Sequence, residues 1–396
     1  MKGEKNVHAE METIRCYIVR GGTSKAVFLM EHDLPRESDS RDRIIRAIFG
    51  SPDVRQIDGL GGADVLTSKL AIIAPPSRAD ADVDYTFAQV SFDSDVVDFN
   101  SNCGNISSAV GPFAIDTGLV RPVAPVTTVR IHQTNTGKLL VAEVPVKNGR
   151  AAVEGQLHID GVPGTGAKVT LDFSDMAGSL TGGLLPTGSV IDTITLDDGR
   201  KFNVSVVDVA IPVVFVAASE VGVRGTETPQ EIENDRELMT TLEQIRGTVA
   251  CKIGMVSSWQ EAVSKSPYTP FIAMIESPQN YKTFTGVEVR AEDLDMVSRL
   301  VFMQRMHKTY PGTGTVCTGI AAKLAGSVVW NAIPATSRKK AAIHIGHPAG
   351  IIPVEAVVSG QGDAVSIKRA AIYRTARMIM EGYVYVRKSI FRGDNR

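Results

Sequence analysis

The sequence predicts an α+β fold made of two similar β-rich halves, each enclosing one helix. Its 396 residues exceed what one hydrophobic core usually supports, so two domains are expected. Short β-branched runs outnumber helical stretches, which indicates a protein that is mostly β. Two helical stretches consist almost entirely of small and apolar residues, so each should be surrounded by strands.

Alternating or continuous β-branched runs predict the strands. They are residues 14–19, 26–30, 69–73, 87–92, 129–132, 139–144, 168–173, 204–207, 212–217, 271–275, 286–291, 341–345 and 364–369. Helical periodicity predicts fewer helices, at residues 41–49, 107–117, 229–246, 294–306, 319–329 and 374–380.

A faint internal repetition supports the two halves. Residues 18–28 and 206–216 each predict a strand, a tight bend and a second strand. Each half later reaches a glycine-led helix start, at Gly104 and at Gly312. The turn-rich segment 182–188 is the expected boundary.

The predicted domains are therefore residues 1–185 and 186–396. The last strand, near residues 383–387, is expected to pack back on the first domain. The halves should face each other across a cleft, and the site is expected in that cleft.

Charge composition excludes several classes of partner. With 42 Lys and Arg against 44 Asp and Glu, the chain has neither the basic footprint of a nucleic-acid-binding protein nor a polybasic segment for a membrane. The most apolar stretch, 204–223, contains Asp208 and Pro212, which favours buried strands over a membrane span. The amino terminus shows no apolar signal segment, so a cytoplasmic protein is expected. The expected partner is a small-molecule substrate, and a homodimer is left open.

Neither a metal site nor a cofactor is expected. The four cysteines lie far apart, so they form no zinc ribbon and no disulfide framework. His344 and His347 have no carboxylate or thiol at ligand spacing and are expected in a turn or in the core. Lys25 lacks the spacing of a phosphate loop, and Gly312-Thr313-Gly314 does not complete a dinucleotide-binding motif.

Cys103 is the cysteine best placed for chemistry. It lies between the polar loop 100–102 and a helix start, where the helix dipole favours a thiolate. A cysteine without such a context is usually a small buried hydrophobe. Cys16 and Cys251 fit that description. Cys317 falls inside the second helix, so packing is expected there, although lining of the site is left open.

Lys69 is the second candidate. It opens the apolar strand 69–73, where partial burial would lower its pKa from about 10.4 and make the amine a usable base. The competing interpretation, which the residues alone favour, is a strand-edge lysine whose amine reaches water.

The two helix starts predict paired anion sites, because free amides and the positive end of a helix dipole point outward there. The alternative is that Gly104 and Gly312 only make turns. Before the second helix start, Arg305 and Lys308 flank His307. They are expected either to bind carboxylates or to form a solvated basic turn.

Several segments together form a specific pattern. They are RCYIVRGGTSK at 15–25, TSK at 67–69, NCGN at 102–105 with GPFA at 111–114, LLPTG at 184–188, MHK at 306–308, GHPAG at 346–350, and RTAR at 374–377 with EG at 381–382. This combination resembles the 2-methylaconitate cis-trans isomerase (PrpF) family, from about residue 15 to residue 386. The resemblance implies a diaminopimelate epimerase-like fold. It also implies isomerisation of small unsaturated polycarboxylates, such as 2-methylaconitate, aconitate, 3-methylitaconate or 4-oxalomesaconate, without a cofactor.

The resemblance further implies that Lys69 and Cys103 are catalytic. Diaminopimelate epimerase uses one thiol before each helix, whereas Pro311 holds the second place here, which disfavours a two-thiol racemisation. The residues expected to bind substrate are Thr23, Ser24, Lys25, Ser68, Asn102, Gly104, Asn105, Met306, His307, Lys308, Gly312, Thr313 and Gly314.

The expected function is a cofactor-independent isomerase of small unsaturated di- or tricarboxylates that works by allylic proton abstraction. Lys69 would take the proton and Cys103 would donate or relay it, while amides and cations stabilise the developing charge. The result is a double-bond shift or a cis-trans change. The alternatives are a 4-oxalomesaconate-type keto-enol tautomerase, an amino-acid epimerase and a non-catalytic tricarboxylate-binding accessory protein.

Overall fold

The computed structural model describes residues 9–100, 102–360 and 365–393. Ser101 of the predicted polar loop, Ala364 of the predicted strand 364–369 and the outer ends of both predicted domains lie outside these residues.

The first half contains eleven strands and two helices among its described residues. The strands are β1 Met11–Gly21, β2 Ser24–Met30, β3 Lys69–Ala74, β4 Val83–Val90, β5 Val97–Asp98, β6 Val126–Gln133, β7 Lys138–Lys147, β8 Arg150–Ala151, β9 Leu157–His158, β10 Thr165–Gly166 and β11 Val169–Asp172. The helices are α1 Ser38–Phe49 and α2 Gly104–Asp116.

The second half has twelve strands and six helices in the part of the chain that is described. The strands are β12 Asp192–Thr195, β13 Lys201–Val209, β14 Ile211–Ala217, β15 Phe271–Glu276, β16 Tyr281–Lys282, β17 Glu288–Val289, β18 Met296–Phe302, β19 Arg305–Met306, β20 Ala342–His347, β21 Gly350–Ser359, β22 Ser366–Arg374 and β23 Ala376–Arg387. The helices are α3 Pro229–Asn234, α4 Arg236–Lys252, α5 Ala262–Lys265, α6 Gly312–Ala321, α7 Val328–Ala332 and α8 Lys388–Arg392.

One series of strand pairings occurs twice. In the first half, β1 is antiparallel to β2, β2 is parallel to β3, β3 is antiparallel to β4, β4 is parallel to β6, and β6 is antiparallel to β7. In the second half, β13, β14, β15, β18, β20 and β21 pair in the same order and with the same directions. The predicted α+β fold of two similar halves is confirmed. A domain boundary near residue 185 remains our proposal.

Helices α2 and α6 occupy equivalent central positions, and strands of their own half pack around each. All ten residues of α6 are buried. Small residues allow this close packing. A Cβ atom on Gly111 of α2 would lie 2.8 Å from Val144 Cγ2, and one on Gly319 of α6 would lie 2.7 Å from Val354 Cγ1. The glycines therefore let each helix approach its sheet.

Two strands join the halves. Strand β22 is antiparallel to β11, and the long strand β23 is antiparallel to β1 along the whole length of β1. The end of the chain thus lies on the first half. Within the described residues, no helix has the length and apolar character that a membrane crossing requires.

Two predicted helices are wrong. Residues 294–306 form strands β18 and β19, and every residue of β18 is buried between β15 and β20. Residues 374–380 form the end of β22 and the start of β23, whose side chains alternate in exposure. In both places pairing with neighbouring strands overrides a helical pattern that is short and has no consistent polar face.

Three smaller differences concern helix and strand ends. The predicted helix 229–246 is two helices, because Asp235 ends α3 and caps α4. The predicted helix 319–329 covers the end of α6 and the start of α7. Only Glu288–Val289 of the predicted strand 286–291 is extended and paired.

Candidate active site

Helices α2 and α6 meet at their amino termini. A Cβ atom on Gly104 would lie 2.7 Å from the Thr313 backbone nitrogen and 2.8 Å from the Gly312 carbonyl carbon. A Cβ atom on Gly312 would in turn lie 2.9 Å from the Gly104 carbonyl carbon. The two glycines therefore do more than make turns. They bring the positive ends of two helix dipoles to one point in the cleft.

Cys103 is the residue that caps α2 at this junction. Its backbone is extended, its side chain makes no capping hydrogen bond, and it is 6% exposed. Its carbonyl oxygen accepts hydrogen bonds from the Ser107 amide and from Ser107 Oγ, at 2.9 Å each. The thiol is thus held at the amino-terminal end of α2.

Lys69 is buried at the start of β3, so the interpretation as a solvated strand-edge lysine is wrong. Only 2% of the residue is exposed, and Nζ donates a 2.6 Å hydrogen bond to Gln89 Oε1. Nζ also lies 5.3 Å from the ring centre of Phe87 and 5.9 Å from that of Tyr268. Burial lowers the pKa of the amine, against the opposing effect of negative charge on Cys103.

Three buried polar atoms near Cys103 and the adjoining Gly21–Gly22 bend have no hydrogen-bond partner in the described residues. They are Ser24 Oγ, Asn102 Nδ2 and the Tyr85 hydroxyl. Buried polar groups are normally paired, so Ser24 Oγ and Asn102 Nδ2 are available to a ligand, whereas the side chain of Ser107 lies close enough to interact with the Tyr85 hydroxyl. Ser24 and Asn102 were predicted, whereas Tyr85 was hidden in a strand pattern. Burial is the main cause that raises the pKa of Tyr85, and negative charge on Cys103 is the second. The hydroxyl therefore lies close enough to the thiol for the two groups to interact electrostatically.

A hydrogen-bonded network ties the halves together beside α2. Asn105 Nδ2 donates to Thr23 Oγ1 at 3.1 Å, and the Thr23 and Thr309 hydroxyl oxygens are 3.1 Å apart. Arg374 Nε donates to Asn105 Oδ1 at 2.9 Å. Thr23 and Asn105 were predicted from the sequence as substrate-binding residues, whereas Arg374 was only part of a family motif.

Neither His307 nor Lys308 is a free cation in the cleft. The Thr309 amide donates to His307 Nδ1 at 3.2 Å, and burial together with the charge of Lys69 lowers the pKa of His307 to about 3. The imidazole is therefore neutral at ordinary pH, with its proton on Nε2. Lys308 Nζ is 2.7 Å from Asp64 Oδ2 and forms an ion pair between the halves. The solvated basic turn is the better description of Lys308, which is largely exposed.

The remaining predicted residues fall into different environments. Ser68 Oγ donates to Gln56 Oε1 at 2.6 Å and supports the loop before Lys69. The Lys25 amide donates to the Leu66 carbonyl, and its side chain is half-buried.

Two further predicted residues face hydrophobic cores. Met306 packs in a core with residues of α3, α4 and the β13–β14 sheet, and its role in the site stays a prediction. A Cβ atom on Gly314 would lie 3.0 Å from Leu300 Cδ1, so this side of α6 faces the core.

Cys317, His344 and His347 are structural. Cys317 Sγ donates to the Val207 carbonyl at 3.1 Å, and burial raises the pKa of the thiol. His344 Nδ1 lies 3.4 Å from Asp295 Oδ2, and His347 Nδ1 accepts a hydrogen bond from the Ala349 amide. Among the residues with described positions, no three His, Cys, Asp or Glu side chains converge as metal ligands would.

The chain is similar to known proteins over nearly its whole length. The family model described as PrpF protein matches residues 11–387. The 3-methylitaconate isomerase of Eubacterium barkeri is 54% identical over 95% of this chain and 98% of its own. The 2-methyl-aconitate isomerase of Shewanella oneidensis is 37% identical over 93% of this chain and 96% of its own. A crystal structure of methylitaconate-delta-isomerase aligns with a TM-score of 0.81 at 53% identity, covering 97% of this chain and 98% of that one.

Proposed function

The chain belongs to the PrpF family, and from this premise we propose that it is a cofactor-independent isomerase of small unsaturated di- or tricarboxylates. The observation that carries the proposal is a thiol, Cys103, at the junction of two helix amino termini, together with a buried amine, Lys69, whose pKa responds to negative charge on that thiol. The relatives' names suggest a dicarboxylate of the methylitaconate type as the first substrate to test.

The helix junction supplies a place for negative charge. Removing a proton from the carbon next to a carbon–carbon double bond leaves an allylic carbanion, which a conjugated carboxylate delocalises as a dienolate. Free amides at the starts of α2 and α6, together with Asn102 Nδ2, would hold that carboxylate and stabilise the added charge.

Lys69 acts as the base in this mechanism. A lysine can accept a proton only in its neutral form. Because burial lowers the pKa of Lys69, this form is populated at a lower pH than in a free lysine. The C–H bond breaks, the proton moves to Nζ, and the electron pair enters the allyl system. Cys103 then gives its thiol proton to the far end of that system. Return of a proton from Lys69 to the thiolate, directly or through water, restores both groups.

The chemistry of 3-methylitaconate illustrates the balance. The carbon that carries the methyl group loses a proton, and the terminal methylene then gains one. As a result, the double bond of the product joins the two carbons that carry the carboxylates. No oxidant, reductant or leaving group is needed. A keto-enol tautomerase of the 4-oxalomesaconate type would use the same two proton transfers and is the second candidate within this family.

Proton NMR in deuterated water tests the proposal. The protein is incubated with 3-methylitaconate, 2-methylaconitate, cis-aconitate and 4-oxalomesaconate, and with L-proline as a test for epimerase activity. We expect isomerisation of at least one unsaturated acid. Deuterium should appear at the two end carbons of the three-carbon allyl unit, where a proton is removed or added. An exchange restricted to the α-carbon of proline, or binding without any exchange, would overturn the proposal.

Two substitutions test the assigned residues. Lys69→Ala and Cys103→Ser should each lower kcat by about two to four orders of magnitude, the range of general acid–base catalysis. Lys282→Ala and Cys251→Ser are matched controls, because Lys282 is an exposed lysine and Cys251 packs in a small cluster that contains neither Lys69 nor Cys103. Full activity in either site variant would remove that residue from the mechanism.

A further inference from the structure

Arg374 is a buried cation without an acidic partner in the described residues. Only 2% of it is exposed. Nε donates to Asn105 Oδ1 at 2.9 Å and Nη1 donates to its neighbour's carbonyl, that of Tyr373, at 2.8 Å. Another arginine on the same strand differs, because Arg369 pairs with both Asp172 and Glu355.

A buried guanidinium without a counter-ion is unfavourable, since removal of a charge from water is costly unless a partner replaces the water. Burial lowers the pKa of Arg374 to about 10, and negative charge on Cys103 is what opposes this shift. Within the described residues, Nη2 has no hydrogen-bond partner. Nη2 is therefore available to an anion from outside the chain.

Arg374 lines a small cavity together with Thr23, Thr309 and His347. Its volume is about 40 Å³. A single water needs at least about 10–15 Å³ by this measure, so the cavity can hold a carboxylate group but not a whole dicarboxylate. Lys69 and Cys103 do not line it, but negative charge on Cys103 affects the pKa of Arg374, so the cavity is separate from the thiol and close to it.

The residues around Arg374 hold its guanidinium in one position but do not neutralise its charge. A Cβ atom on Gly22 would lie 2.3 Å from Asn105 Oδ1 and 2.8 Å from Arg374 Cδ, so only glycine leaves room for this arrangement. Asp160 also lines the cavity, but its Oδ2 accepts the Ile351 amide at 2.6 Å and its Oδ1 lies 3.2 Å from His158 Nε2. The nearby acid is thus already engaged.

We infer that Arg374 binds the substrate carboxylate remote from the proton-transfer groups and thereby selects dicarboxylates over monocarboxylates. This inference rests on the proposed function. The helix junction would hold one carboxylate, and the guanidinium would hold the other through charge-assisted hydrogen bonds. Since His307 is neutral and Lys308 is paired with Asp64, Arg374 supplies the permanent positive charge for the second carboxylate.

The test compares Arg374→Gln with Arg374→Lys and with the control Arg369→Gln. Arg369 lies on the same strand but already has acidic partners. Methylsuccinate is the binding probe, because it is a saturated dicarboxylate that cannot undergo the reaction. Calorimetry should show binding to the unaltered protein and to Arg369→Gln, at least about tenfold weaker binding to Arg374→Gln, and an intermediate affinity for Arg374→Lys. Circular dichroism and the melting temperature establish that each variant is folded.

A second measurement separates carboxylate binding from a purely structural role. The preference for the dicarboxylate substrate over its monomethyl ester, measured as the ratio of kcat/KM, should fall at least about tenfold in Arg374→Gln. A structural role for Arg374 would lower both values equally and leave the ratio unchanged, which would overturn the inference. If the unaltered protein isomerises dicarboxylates while Arg374→Gln binds methylsuccinate equally well, only this inference fails. If the unaltered protein neither binds nor isomerises dicarboxylates, both the proposed function and this inference fail.

Discussion

The burial of Lys69 follows from the strand that carries it. All six residues of β3 are buried, so the amine at its start has few waters to stabilise the protonated form. The amine still has one strong partner, because Nζ donates to Gln89 Oε1, and Gln89 Nε2 donates in turn to the Ser68 carbonyl. A neutral amide acceptor orients the lysine without adding the negative charge that would raise its pKa.

The pH dependence of kcat should report this burial. The neutral amine is the active form, so activity should rise with pH as Lys69 loses its proton. Since burial lowers the pKa, the midpoint of the rise should lie below the value of about 10.4 found for a free lysine. Steady-state rates between pH 6 and 10.5 would measure it. A rise centred at or above the free-lysine value would contradict the assignment of Lys69 as the base.

His307 should make stability depend on pH. An unfolded histidine has a pKa of about 6.5, whereas the folded value is about 3. Between these values the unfolded chain binds one more proton. The free energy of unfolding should therefore fall by up to about 1.4 kcal/mol for each pH unit as the pH drops from 6.5 towards 3.

Urea unfolding at pH 4, 5, 6 and 7 checks this prediction. His307→Gln should show a shallower loss of stability than the unaltered protein, because the substituted side chain does not titrate. His32→Gln is the control, since the imidazole of His32 is largely exposed. Equal slopes in all three proteins would show that His307 does not carry the effect.

Sequence reasoning identified the residues whose local context is informative. Cys103 before a glycine-led helix start and Lys69 before an apolar run are visible within a few residues. Arg374 is not, because its partner Asn105 is 269 residues away and the burial of its charge follows from the tertiary structure. Tyr85 was missed for the same reason, since an unpaired hydroxyl in a strand has no local signature.

At the scale of elements, the contact between α2 and α6 is the one that most strictly requires glycine. Gly104→Ala would place a Cβ atom 2.7 Å from backbone that cannot rotate away, so the two helices must separate. We expect a loss of about 1–3 kcal/mol in unfolding free energy and a larger relative loss of kcat, because the amides at the junction move. Gly183→Ala is the control, because its nearest neighbour would be 3.9 Å away. Unchanged kcat in Gly104→Ala would show that the junction tolerates movement.

Elements with strong local patterns were predicted more reliably than those that depend on their neighbours. The β1–β2 and β13–β14 hairpins, α1 and α2 follow from periodicity and turn residues, whereas only the glycine-led start and the last three residues of α6 were predicted. Strand β18 was predicted as a helix because its apolar residues also fit a helical spacing. It is a strand because β15 and β20 pair with both of its edges.

The whole molecule depends on a strand that returns from the end of the chain to the first half, as the sequence predicts near residues 383–387. Strand β23 comes from the end of the sequence, yet it pairs with β1 through eleven residue pairs. Its Val386 is buried in a core with Ile14 and Phe49 of the first half. The halves are therefore similar in fold but share strands, and the first half is incomplete without residues from the far end of the chain.

Truncation separates this contribution from that of the final helix. A chain ending at residue 375 lacks β23, so it would expose the edge of β1 and the core beneath it, and we expect aggregation or loss of cooperative unfolding. A chain ending at residue 387 lacks only α8 and the residues after it. Helix α8 has no fully buried residue, although its Ile390 and Phe391 pack against the same core, so this control should lose some stability but stay soluble and unfold cooperatively. Solubility, near-ultraviolet circular dichroism and thermal unfolding would compare the two. If the chain ending at residue 375 unfolded as cooperatively as the control, then the first half would complete its core alone, and the pairing of β23 with β1 would be dispensable for folding.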